Sequence, residues 1–176
     1  MERTDVNYDI AYKTYTRMIK NMKMGNISRT GIKKIAKPVL LLSVIWGIEH
    51  GVFKSNCIEY EELAKIYEWV FKKHEAKAKQ SEHTPPFYPF YYLKTDLFWH
   101  LNPLTPNSKL TTSSPSAAWL RNNVEYAYLD STLWAMLQNT EYRHRLAEFI
   151  VEEKINTATA SSRSMLRMFL GWLVAI

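Results

Sequence analysis

The sequence predicts an α+β fold that is predominantly α-helical, a single domain with one small antiparallel β-hairpin. Three observations carry this. Lys37–Gly51, KPVLLLSVIWGIEHG, is apolar on nearly every side, as a helix in the middle of a core must be. Segments on either side of it repeat apolar residues at three- and four-residue steps, the signature of amphipathic helices. One aromatic and proline-rich stretch, TPPFYPFYYLKTDLFWHLNP, has no helical period and is rich in residues that favour strands.

Taken in order, Tyr8, Tyr12, Tyr15, Ile19 and Met22 define the inner face of a first helix, with Asp5 as its cap. Gly25, Asn26 and Ser28 interrupt it and open a basic loop holding Arg29, Lys33, Lys34 and Lys37. The central helix follows, with Pro38 at its first position and Gly51 just past its end. Free N–H groups and the positive dipole end favour an anion at a helix N-terminus, so a basic loop running into one is a candidate phosphate site. Leu63, Ile66, Tyr67, Val70, Phe71 and His74 mark a third helix, whose KKHEAKAKQSEH end reads as a solvated surface. Three prolines before Phe90 argue against a helix there. The expected hairpin therefore pairs Phe90 to Leu93 with Phe98 to Leu101 around Lys94 to Leu97. TPNSKLTTSSPS reads as an exposed loop. Three more helices are expected, over Ala117 to Tyr126, Ser131 to Gln138 after Asp130, and Glu141 to about Lys154. The domain is expected to span residues 1–154. Residues 155–176 divide into a small polar linker and an apolar segment, ten of whose last twelve residues are apolar, a composition that predicts packing on the domain or on a partner.

Charge narrows the partner. The net charge is +6, and residues 1–37 hold nine Lys or Arg against three acids, so the whole excess is N-terminal. A local basic surface of this kind points to a polyanion, nucleic acid before membrane. The lone Cys57 excludes an intrachain disulfide and a multi-cysteine zinc site, fits a reducing cytoplasm, and is expected to be a small buried hydrophobe. No signal peptide or spanning helix is expected. His50, His74, His83, His100 and His144 are scattered, without a His-Asn-His or Cys-x-x-Cys context, and there is no P-loop or nucleophile-elbow motif. No catalytic residue, metal or cofactor is expected, and His100 is expected to point away from the hairpin's core.

Three segments also resemble a known family. SRTGIKKIAKPVLLL resembles the Arg-x-Gly to His-Lys-Pro-x-Leu-Leu-Leu start, and FYPFYYLKTDLFWHL the Tyr-Pro-Phe to Asp-Gly-x-Trp segment, of the sulfur-binding domain of McrA-like, HNH-associated restriction endonucleases. WLRNNVEYAYLDSTLWAMLQN resembles that domain's later helical part. The resemblance implies recognition of phosphorothioate-modified duplex DNA. It places Tyr88 and Pro89 on the wall of an apolar sulfur pocket, Tyr92 beside them, and Arg29 and Lys37 along the bound strand, with Lys33 and Lys34 adding non-specific attraction. The loop TTSSPSAAWLR adds Arg121 as a base-reading candidate. Sulfur in place of a phosphate oxygen is larger, softer and poorly hydrated, so an apolar cup accepts it where an oxygen would lose its water uncompensated. Ala36 stands where the motif has His, Leu97 where it has Gly, and Tyr92 is bulky where space for sulfur is needed. The implied function is a non-catalytic DNA reader in a restriction or defence system, its nuclease on another chain. The alternatives are an assembly subunit of the same fold without the pocket, favoured by the apolar C-terminal segment and by Ala36 and Leu97, and a reader of another DNA modification.

Overall fold

The computed structural model describes residues 7–159. Its elements run α1 (Tyr8–Asn21), α2 (Ala36–Glu49), α3 (Tyr60–Glu75), α4 (Phe87–Tyr92), a 3-10 turn (Leu93–Asp96), β1 (Trp99–Pro103), α5 (Ala117–Asn123), β2 (Val124–Leu129), α6 (Ser131–Gln138), α7 (Thr140–Ile150) and a π turn (Val151–Ile155). The molecule is mostly helical with one two-stranded antiparallel sheet.

Helix α2 is the hub. Eleven of its fourteen residues are buried, Val39 and Leu40 completely, and it packs against α3, α4, α6 and α7. Each fully buried Val, Leu or Ile contributes roughly 1.5–3 kcal/mol, so this helix anchors the core. Pro38 is its third residue, not its first; the first turn's N–H groups have no intrahelical partner, so proline costs nothing there. Gly51 follows the C-cap His50 with φ +68°, the left-handed turn that glycine adopts without strain. Gly47 fulfils a packing need: a Cβ there would collide with the ring of Phe53. Helix α1 is capped by Asn7, whose Oδ1 accepts the Ile10 N–H at 3.1 Å, in place of Asp5, which lies outside the described residues.

The aromatic stretch corrects two expectations. FYPFYY is helix α4, not a strand, because Pro85 and Pro86 precede it and Pro89 occupies its first turn, where a missing N–H is harmless. The strand begins only at Trp99 and pairs not with its neighbour but with β2, in the register Trp99–Leu129, His100–Tyr128, Leu101–Ala127 and Asn102–Tyr126, with a bulge before Pro103. The segment read as one helix to Tyr126 accordingly ends at Asn123, and the alternating VEYAYL becomes β2. The free edge of β2 is covered: Ile58 and Ala127 exchange backbone hydrogen bonds of 2.7 and 2.8 Å, and the Asn56 amide closes both backbone groups of Leu129. Beside Ile58, Cys57 is exposed rather than buried, since adjacent residues of an extended segment face opposite ways.

Buried polar groups tie the elements together. The Arg143 guanidinium pairs with Glu49 and donates to the Leu137 carbonyl at 2.8 Å, fixing α7 and the end of α6 to α2. Lys154 donates to the Lys20 and Met22 carbonyls at 2.6 and 3.2 Å, capping α1. The core extends to Ile155 and Ala158, and the apolar segment after residue 159 lies outside the described residues. Among the described residues no helix is long and apolar enough to cross a membrane.

Candidate nucleic-acid interface

The basic loop is shaped by its backbone. Asn26 and Lys33 form an antiparallel bridge, and between them Arg29 (φ +61°) and Gly31 (φ +72°) turn the chain, leaving Arg29 exposed at the tip. The Gln80 side chain then closes the approach to α2: its Oε1 accepts the Ile35 N–H at 3.1 Å and its Nε2 donates to the Lys33 carbonyl at 3.0 Å. Ile35, Ala36 and Pro38 are buried, so Lys33 and Lys34, rather than the end of α2, face outward on this rim.

Opposite the loop, α4 presents its aromatic face. Trp99, fully buried, donates from Nε1 to the Phe90 carbonyl at 2.9 Å, and Phe90 itself is fully buried, so Tyr88 and Tyr92 turn outward one helical turn apart. Their rings are nearly parallel, 6.4 Å between centroids, and each is about two-fifths exposed. Tyr67, deep in α3, donates its hydroxyl to the Thr84 carbonyl at 2.8 Å and so holds the segment leading to α4; burial pushes its pKa far up, which keeps that hydroxyl a donor. The loop 104–116 is exposed as expected but tethered: the Tyr91 hydroxyl bonds both backbone groups of Thr112, and Lys94 donates to the Leu110 carbonyl at 2.6 Å.

Between loop and helix lies a groove of about 560 Å³, lined by Gly25, Lys34, Lys37, the 82–85 segment, Tyr88, Pro89, Tyr92 and Thr95. Five residues singled out in the sequence, Lys34, Lys37, Tyr88, Pro89 and Tyr92, thus share one concavity. Arg29 and Lys33 belong to the adjoining loop without lining the groove, and Lys33 uses its backbone N–H to bond the Ala158 carbonyl at 2.8 Å. Arg121 is elsewhere, on α5, its Nε 2.5 Å from Glu61 of α3.

The groove's charges are partly paired. Lys37 Nζ sits 2.5 Å from Asp96, the two side chains 14% and 9% exposed, while Lys34 lies 3.9 Å from Glu82 at a more open edge. Burial pushes the Lys154 pKa down, and the negative charge of Asp96 opposes that push. Glu82 and Thr84 carry no sequence signal that would place them here, whereas Thr95 and Asp96 stand in the FYPFYYLKTDLFWHL segment that carries the resemblance.

Among the described residues no group of three or more His, Cys, Asp or Glu side chains comes together to hold a metal. His100 bonds Asp130 at 2.6 Å, and Asp130 also accepts the Tyr15 hydroxyl at 3.2 Å, a network joining β1, α1 and the start of α6.

No family model matches the chain, and no curated protein matches it. Among solved structures it shares its fold with a nucleic-acid-bound domain: the sulfur binding domain of SprMcrA complexed with phosphorothioated DNA. The TM-score is 0.59 at 15% identity, and the match covers 81% of this chain and 84% of that one. At that identity the likeness establishes the fold.

Proposed function

We propose that this chain is a DNA-recognition module that reads phosphorothioate-modified duplex through the surface of Tyr88, Pro89 and Tyr92, with Lys33, Lys34 and Arg29 drawing in the flanking phosphates. The convergence of aromatic wall and basic loop on one groove carries the reading. The fold shared with a domain bound to phosphorothioated DNA supports it. The ring faces of the tyrosines and the Pro89 ring offer sulfur dispersion contacts and give an oxygen no hydrogen bond, so the preference arises from desolvation. Lys37, already committed to Asp96, acts by holding the 3-10 turn against α2 more than by touching phosphate. The chain carries recognition without catalysis, in a restriction or defence system whose nuclease is a separate partner.

A second reading, an assembly subunit with this fold, is favoured by the pairing of Lys34 with Glu82 and Lys37 with Asp96, which lowers the groove's net charge. One titration separates them. Phosphorothioate and normal duplexes of identical sequence should differ by about 1–3 kcal/mol in favour of sulfur, and Tyr88→Ala should reduce that difference. Engagement of about three phosphates gives a slope of roughly −2.7 in log affinity against log salt. Equal binding of the two duplexes rejects the sulfur reader, and no salt-sensitive binding of either rejects DNA as the partner.

A further inference from the structure

Leu97 is the most exposed large hydrophobic side chain among the described residues, at 73%, and it is held out by a backbone that leucine does not favour, with φ +62°. The cause is local. The chain leaves the 3-10 turn at Asp96 and must reverse at once to bury Phe98 and Trp99, both fully enclosed, so the single residue between takes the left-handed conformation while the Phe98 N–H bonds the Asp96 carbonyl at 2.9 Å. On one side the turn is pinned by the buried Lys37–Asp96 pair, on the other by two core aromatic residues. An apolar side chain is thereby presented to solvent on a rigid support, with no loop to order when it meets a partner.

Its place gives that presentation meaning. Thr95, two residues earlier, lines the groove, and Asp96 between them grips Lys37, another groove residue. Among the described residues Tyr88, Tyr92 and Leu97 are three of eight exposed large hydrophobic residues, and they fall within ten positions of sequence. Side chains of this kind, set beside cations that track the backbone, enter DNA between base pairs and unstack a step.

We propose that Leu97 is a wedge that enters the base stack of bound DNA next to the groove, an inference that rests on the DNA-recognition reading. The side chain adds no hydrogen bond. It rewards steps that unstack readily, such as pyrimidine–purine steps, and so confers sequence preference by deformability.

The test uses the full chain, wild type and Leu97→Gly, with phosphorothioate and normal duplexes carrying 2-aminopurine at successive positions around the bound linkage. Glycine adopts φ +62° without strain, so the variant should unfold at an equal or higher urea concentration, and loss of folding cannot mimic the effect. Wild type should raise 2-aminopurine fluorescence at one step, and Leu97→Gly should abolish that rise and weaken binding on the order of ten-fold. If wild type binds without any rise, or if the variant matches it in both readouts, the wedge is overturned while the DNA reading stands. If the variant instead loses self-association in sedimentation with DNA binding intact, Leu97 serves a protein contact and the wedge is overturned. If wild type binds neither duplex, wedge and DNA reading fall together.

Discussion

Replacing Lys37 by alanine should destabilise the fold far more than a surface-lysine change would. The ammonium lies 2.5 Å from Asp96, and the two side chains are 14% and 9% exposed, so the short-stemmed carboxylate is not returned to water when its partner is removed. Breaking a buried pair typically costs about 3–5 kcal/mol, because the remaining charge stays desolvated. The pair is not fully enclosed, which places the expected loss near the lower end, about 3 kcal/mol. In a domain of this size that lowers the melting temperature by roughly 6–12 °C. Asp96→Asn should cost less, since a lysine on a flexible stem can turn its head toward solvent. Lys37→Ala/Asp96→Asn should recover much of the Lys37→Ala loss. Urea unfolding of the four proteins closes the cycle. A Lys37→Ala cost below about 1 kcal/mol, or strict additivity in the double variant, would place the pair with weak surface ion pairs and refute the argument.

Two further outcomes follow from the core. Gly47→Ala should destabilise by about 1–3 kcal/mol in urea unfolding, despite alanine's better helix propensity, because its Cβ meets the enclosed ring of Phe53; a stabilised variant would mean that the ring moves freely. Burial, with Asp130 second, pushes the Tyr15 pKa up to about 12. The unfolded phenol ionises near its ordinary value of about 10, so the folded state holds the proton longer, and stability should fall as pH rises from about 10 to about 12. Tyr15→Phe should remove that part of the alkaline decline, as followed by denaturant midpoints across the window.

The helical architecture was legible because it rests on local pattern. Lys37–Gly51 is apolar all round and could only be a core helix, and the stripe from Tyr8 to Ile19 has one face to bury. Ser131–Gln138, opening after Asp130, has the bounds its apolar spacing predicts. The hairpin was misplaced for a reason of the same kind. Proline reads as a helix breaker, yet its penalty vanishes in a first turn, and whether a turn is first is known only once the start of α4 is. The partner of β1 stands more than twenty residues away in β2, and no short-range signal encodes that choice; it is made by the burial of Trp99 against Phe90 and by Ile58 and Asn56 closing the far edge.

The candidate site divides in the same way. Composition and spacing say which residue types are available: a cluster of cations with an N-terminal charge excess, and a Tyr-Pro aromatic segment. Which of them meet is settled by packing. It brought Lys34 and Lys37 to Tyr88, Pro89 and Tyr92, carried Arg121 away to Glu61, engaged Lys37 with Asp96, and left Leu97 standing in solvent. The physical reason is that periodicity reports which face of one element is buried, whereas the pairing of charges and the shape of a groove depend on distances between elements, which are fixed only when their faces pack together.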